Sequence, residues 1–230
     1  MTMAWTKQTG AVGRILAAAL AFALLLPLAA SAENLANKPL HPVFEGLLPP
    51  GAKPAAASLP RDDLKTRKLV IVSSANLDQY LRIWNSLFKK GNVLTKVFDV
   101  SGEKIASDPA NVVAKIIPAV TPYFGSVATA PDIAAAHAMG ADYILVVDYW
   151  ASITNGGTRY KTRAGIHILN GQLQEALALE TANEMPRAYT FTLNPLDVLK
   201  QDEVTLAKGM NDVLDPLVAK INASFAGAPN

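Results

Sequence analysis

Acid–base, metal and nucleophilic chemistry each need particular side chains at particular spacings, and this chain offers few of them. Its three histidines, His41, His137 and His167, stand far apart, and no two share a metal-ligand spacing. The absence of cysteine removes thiol catalysis, zinc–thiolate centres and iron–sulfur clusters. No Gly-x-Ser-x-Gly elbow and no His-Glu-x-x-His pair occurs. Ser101-Gly102-Glu103-Lys104 lacks the upstream glycine of a phosphate-cradling loop and reads as a turn. Asp62-Asp63 reads as a solvated acidic pair. Asp99 and Asp148, at the ends of apolar runs, are the carboxylates a hydrolase could use. They would have to converge in one cleft, about 5–10 Å apart in the glycosidase case. No residue is therefore assigned as catalytic, cofactor-binding or metal-binding, and no cofactor is expected.

One constellation points to recognition instead. Trp150, Arg159, Lys161 and Arg163 fall on neighbouring strands with two-residue periodicity. If a two-residue turn at Asn155-Gly156-Gly157 joins the strands, Asp148, Trp150 and Ser152 share a face with Arg159, Lys161, Arg163 and His167. Trp150 then stands on a charged outer face as an apolar anchor among cations, a candidate surface for a protein partner, an anion or a glycan. The plainer alternative is a solvated face, with Asp148 and Glu180 neutralising Arg163 and Lys161 over the tryptophan.

The elements that must position these residues follow from apolar periodicity. Leu69 to Ser73 is a short apolar run of the buried-strand type. Asn76, with Gln79 in capping-box spacing, starts a helix whose apolar face carries Leu77, Tyr80, Leu81, Trp84, Leu87 and Phe88. Residues 94–100 suggest a second strand, Asp108-Pro109 opens a helix through Ile117, and Thr121 to Ala130 reads as loop. A helix over Pro131–Met139 ends at Gly140, and a long strand runs from Asp142 to Ile153. Asn170-Gly171 has the sequence of a type I′ hairpin turn, where Gly171→Val should cost about 1 kcal/mol or more. That turn sets Lys161 opposite Glu180, Arg163 opposite Ala178 and His167 opposite Gln174. Only Glu175, opposite Ile166, breaks the alternation, unless a bulge turns it out. Residues 188–193 suggest a short edge strand, and an amphipathic helix containing Pro216 closes the chain from about Leu199. The predicted class is α/β with α+β character in the carboxy-terminal half. Strands one to three are parallel-type with helical crossovers, followed by an antiparallel meander and a terminal helix, in a mixed sheet of about five strands.

The amino-terminal residues carry an address. Lys7 and Arg14 precede an apolar run, Ile15 to Leu28, of 14 residues, and Ala30-Ser31-Ala32 offers the small-x-small pattern of signal-peptidase cleavage. The run is shorter than the roughly 20 residues of a spanning helix. Cleavage before Glu33 is expected, with no membrane span left after it and no lipobox cysteine. The 21 Lys+Arg fall to 19 once Lys7 and Arg14 are removed, matching the 19 Asp+Glu, so nothing draws the mature chain generally to nucleic acid. The expected organisation is a signal peptide at 1–32, a flexible proline-rich segment at 33–65, one α/β domain at 66–226 and a disordered tail at 227–230. Within the proline-rich segment, Val43, Phe44, Leu47 and Leu48 are large enough to dock on the domain or on a partner.

Gly140-Ala141-Asp142-Tyr143-Ile144-Leu145-Val146, followed by a glycine-rich turn, a long strand, Asn170-Gly171 and a further strand, resembles small α/β domains of bacterial envelope assembly proteins. Examples are the amino-terminal domain of the Tol translocation protein B and the periplasmic domain of the curli secretion channel. The resemblance spans roughly residues 69–222 in element order. It departs in lacking a following propeller and a lipidated cysteine, and in its proline-rich segment between strands two and three. It implies a periplasmic, non-catalytic binding or adaptor module that acts on an envelope protein partner. A periplasmic small-ligand or glycan-binding protein and a carboxylate-based hydrolase are the alternatives, and oligomeric state is left open.

Overall fold

The structure is a computed structural model and describes residues 40–60, 63–87, 107–154, 158–187 and 195–226. Five strands form one mixed sheet in the order β2-β1-β3-β4-β5: β1 (Lys68–Ser73), β2 (Ser126–Thr129), β3 (Tyr143–Thr154), β4 (Arg159–Asn170) and β5 (Glu175–Pro186). β1 pairs in parallel with β2 and β3, whereas β3, β4 and β5 form an antiparallel meander. This is the α/β class expected. Four α-helices accompany the sheet among the described residues: α1 (Ala75–Leu87), α2 (Ala110–Val120), α3 (Ile133–Ala138) and α4 (Pro195–Phe225), which contains Pro216.

Alternation along β1 and β3 divides the core in two. Leu69, Ile71, Leu145, Val147 and Tyr149 face one cluster, built with Ile116 of α2 and Val213, Leu214 and Leu217 of α4. Val70, Val72, Ile144 and Val146 face the other, under Ile133 and Ala136 of α3. Val43, Phe44, Leu47 and Leu48 complete that second cluster. Within the proline-rich segment, the stretch from Val43 to Leu48 is therefore seated on the sheet. Its apolar side chains cover a face that the six-residue α3 is too short to cover alone.

Polar groups fasten α4 to the meander. Gly209 approaches so closely that a Cβ there would lie 3.1 Å from Thr162 Cγ2, and the Thr162 hydroxyl donates to the Gly209 carbonyl at 3.2 Å. The Thr181 hydroxyl donates to the Val213 carbonyl at 2.7 Å. The Gly140–Tyr143 pattern has a plain structural role. Gly140, at φ +71°, ends α3 in the left-handed region, and the Asp142 carboxylate accepts from the Lys68 amide at 2.8 Å where β1 begins.

Three expectations are corrected. Ser74, not Asn76, caps α1, since its hydroxyl accepts the Leu77 amide at 3.2 Å, which releases Asn76 for other contacts. Residues 126–129, read as loop, form β2: the segment lies at the sheet edge, and β1 completes its ladder. At the hairpin the turn has three residues, Gly171 to Leu173. The Leu173 amide donates to the Asn170 carbonyl at 2.9 Å, and the Asn170 amide donates to the Gln174 carbonyl at 2.9 Å. Leu173 (φ 58°) takes the left-handed position and Gly171 does not, so the expected penalty for Gly171→Val loses its basis. Pairing becomes Lys161 with Glu184, Arg163 with Ala182, and His167 with Ala178. The longer turn displaces the register by three residues, which alone would turn every side chain over. A bulge beside Ile168 and Leu169 adds one more and restores the faces. Residues 94–100, 155–157 and 188–193, and the terminal segments 1–32 and 227–230, lie outside the described residues.

Candidate functional site

Trp150, Arg163, Lys161 and Arg159 do share one face, because Trp150 pairs with Arg163, Ser152 with Lys161 and Thr154 with Arg159. The tryptophan is nevertheless only 3% exposed. β1 stops at the Ser73–Val147 pair, leaving the second half of β3 without a neighbour on that side, and α1 fills the space. Tyr80 of α1 meets Tyr149 at 5.5 Å and Trp150 at 6.1 Å between ring centroids, both edge-on, although those residues point to opposite faces of the strand. A helix against the strand's open edge thus buries both. Trp150 belongs to the core.

The cations beside it are largely engaged. Arg163 donates to Asp148 Oδ2 at 2.8 Å, and Arg159 meets Glu184 at 2.6 Å. Lys161 is exposed. Glu180 faces His167 rather than Lys161, its carboxylate 3.6 Å from Nε2. On the other side of that ring, Glu175 contacts Nδ1 at 2.6 Å, and Phe44 packs edge-on at 5.3 Å. The bulge delivers Glu175 to this position, which accounts for the one residue that broke the alternation.

Asp148, one of the two carboxylates a hydrolase could use, is engaged within the protein. It is 1% exposed, and its oxygens accept from Ser74 Oγ (2.6 Å), Asn76 Nδ2 (2.9 Å) and Arg163 Nη2 (2.8 Å). This is the full satisfaction a buried charge requires. The other carboxylate, Asp99, lies outside the described residues. The same network reaches the amino-terminal segment: Asn76 Oδ1 accepts the His41 amide at 2.9 Å, while Asn76 Nδ2 donates to the His41 carbonyl at 3.0 Å. The His41 ring lies 2.7 Å from Gln79 Oε1 and 3.0 Å from Glu45 Oε2. Sequence analysis missed this cluster. Its signal, the pair Ser74 and Asn76 ahead of a buried strand aspartate, was absorbed into a reading of helix capping.

His137 is exposed on α3, and no metal-binding group of three or more His, Cys, Asp or Glu exists among the described residues. An open depression lined by Ala182, Asn183, Asn211, Asp212, Asp215 and Pro216 lies between β5 and α4. No described helix is long and apolar enough to cross a membrane.

Burial pushes the Tyr80 and Tyr149 hydroxyls well above the ordinary tyrosine range, Tyr80 adding to the effect at Tyr149. Below about pH 10 both states of the chain keep these groups neutral and stability is unaffected. Above it the unfolded chain ionises first, so stability should fall by about 1.4 kcal/mol per pH unit for each tyrosine. The Tyr149 hydroxyl is buried without a hydrogen-bond partner among the described residues. Tyr149→Phe should therefore be neutral or stabilising at pH 7, by up to about 1 kcal/mol, and should flatten the alkaline limb in urea melts from pH 8 to 11.

No family model matches the chain, and no curated protein sequence matches it. Among solved structures it is similar to a candidate lipoprotein from Caulobacter crescentus CB15, at 12% identity and TM-score 0.32, over 56% of this chain and 89% of that one. It is also similar to two PelC dodecamers from Paraburkholderia phytofirmans. One, a point variant, has 13% identity and TM-score 0.30 over 77% of this chain and 96% of that one. The other has 11% identity and TM-score 0.28 over 71% and 94%. At such identities and TM-scores these likenesses bear on neither partner nor activity. None of the three is the Tol or curli domain that the Gly140–Tyr143 pattern suggested, and that resemblance stays an expectation from sequence.

Proposed function

We propose that this chain is an exported, non-catalytic binding module of the bacterial cell envelope that acts through protein contacts on the outer face and edge of β5. The observation that carries this reading is the strand itself. β5 is 12 residues long and stands last in the sheet. Among the described residues its only bridge on the outer side is from Ala56 to Glu175. Along it Ala178, Glu180, Ala182, Glu184 and Pro186 are exposed, with Lys161 beside them on β4. Strand edges left open offer backbone donors and acceptors that a partner segment can complete. The leader-like residues 1–32 support export, and the engagement of Asp148 argues against carboxylate hydrolysis at this sheet.

The test is capture from periplasmic extract by the immobilised mature chain. Lys161→Glu combined with Ala182→Glu alters exposed positions alone. It should lower recovery of a stoichiometric partner at least tenfold while moving the melting temperature by no more than a few degrees. Capture that survives both substitutions would remove this face from consideration.

A further inference from the structure

The second core face is closed by a segment that the sheet holds as it would hold a ligand. In α/β sheets the crevice beyond the carboxyl ends of the parallel strands, where crossovers leave on opposite faces, is where ligands seat. Here that crevice lies past β1 and β3. Helices α1 and α2 contribute to one cluster and α3 to the other, and β1 lies between β2 and β3. His41 fills it. Asn76, fully buried, reads both the amide and the carbonyl of His41, and Asp148 fixes the Asn76 amide in place. The contact reads peptide backbone, so any chain presenting this segment satisfies it. Val43, Phe44, Leu47 and Leu48 then cover Val70, Val72, Ile144 and Val146.

Beyond Leu48 the hold lapses. Pro49, Pro50, Gly51, Ala52 and Lys53 are all exposed, and the backbone hydrogen bond in this stretch is local, from the Ala52 amide to the Pro49 carbonyl at 2.9 Å. Contact resumes at Ala55–Ala57, where the Ala57 amide donates to the Glu175 carbonyl at 2.9 Å. Opened, the six residues Pro49–Pro54 reach about 20 Å, and their three prolines favour the extended form.

We propose that the crevice is a docking site for the Leu40–Leu48 segment of a second copy of this chain, so that two copies exchange segments across Pro49–Pro54. Exchange needs no new surface complementarity, because every contact made within one chain is remade between two. A copy whose segment has lifted exposes the Val70–Val146 patch, and the groups that fit it are those of the identical segment. This docking borders the β5 face, since Phe44 packs on His167 and Glu180 lies against the same ring, but it is made by the Leu40–Leu48 segment and not by the exposed β5 positions Ala182 and Glu184.

The cysteine-free sequence allows a direct test. One mature copy carries His41→Cys, which leaves the clasped backbone intact, and the other carries Gln79→Cys. The two are unfolded in urea, refolded together at high concentration and joined with a short bis-maleimide, because the His41–Gln79 contact runs through two long side chains and a disulfide needs Cα atoms within about 7 Å. Exchange predicts a covalent two-chain product at least tenfold above that from a control pair of His41→Cys with Ala182→Cys, a substitution on the exposed face of β5. Cross-linking no greater than the control overturns the proposal. A second measurement does not depend on cross-linking: sedimentation of the unsubstituted mature chain refolded at the same concentration should show a two-chain species. Its absence at every concentration overturns the proposal equally.

Discussion

Trp150→Ala should cost about 3–5 kcal/mol of folding stability, enough to lower the urea midpoint sharply or to leave the chain unfolded. The indole is 3% exposed and packs edge-on against Tyr80, which also closes over Tyr149. Truncation would open a cavity where α1 meets β3, and the close-packed rings around it could relax only in part. Were Trp150 the exposed anchor of a partner-binding face, as one of the two readings of the sequence had it, the same substitution would be nearly silent in stability and costly in partner binding. The two readings give opposite results in one pair of melts. A midpoint within experimental error of the parent would restore Trp150 to the surface and overturn the packing described here. Trp150→Phe, keeping an aromatic edge for Tyr80, should recover part of the loss.

Asp148→Ala should be comparably severe, at about 3–5 kcal/mol, for a different reason. The substitution strips Arg163 of its counter-charge and leaves Ser74 Oγ and Asn76 Nδ2 without their buried acceptor. Breaking a buried ion pair costs more than replacing it whole. Asp148→Leu with Arg163→Met should therefore be clearly more stable than Asp148→Ala alone in urea melts. Because Asn76 also clasps His41, Asp148→Ala should loosen the amino-terminal segment before the sheet melts. Faster amide exchange at His41 than at β4 residues would report it. Equal stability of the single and double variants would show that the ion pair matters little.

Much of the architecture could be read from local pattern. Alternating apolar residues marked β1 and β3, Gly140 marked the end of α3, and the terminal amphipathic stripe marked α4. These signals are local because side-chain periodicity and the left-handed preference of glycine act within a few residues. The hairpin was legible only by halves. Asn170-Gly171 announced a turn, but its length was set by Leu173 taking the left-handed position, at a residue whose type gives no warning. The compensating bulge then preserved the faces that the pattern required, since a one-residue slip would have turned Leu177 and Leu179 of β5 away from the core.

Burial of Trp150 was beyond the sequence, and so was the place where residues 40–48 dock, though Val43, Phe44, Leu47 and Leu48 marked that segment as able to dock; the reason is common to both. Strand parity placed Trp150 beside Arg163 and Lys161, as the register confirms, yet parity says which way a side chain points and not what lies above it. That cover comes from α1, which abuts β3 because β1 ends at Ser73, a contact between residues some seventy positions apart in the chain. Likewise, prolines at 42, 49, 50, 54 and 60 rule out regular helix, and a segment barred from regular structure reads as loose. The six-residue α3, too short to cover Val70, Val72, Ile144 and Val146 alone, left them in need of cover, and Asn76 stood free to hold His41. Composition and periodicity thus determined the elements and their inward faces. Which surfaces remained open, and which charges were already spent on partners within the chain, was decided by packing between distant segments, where no local pattern carries the information.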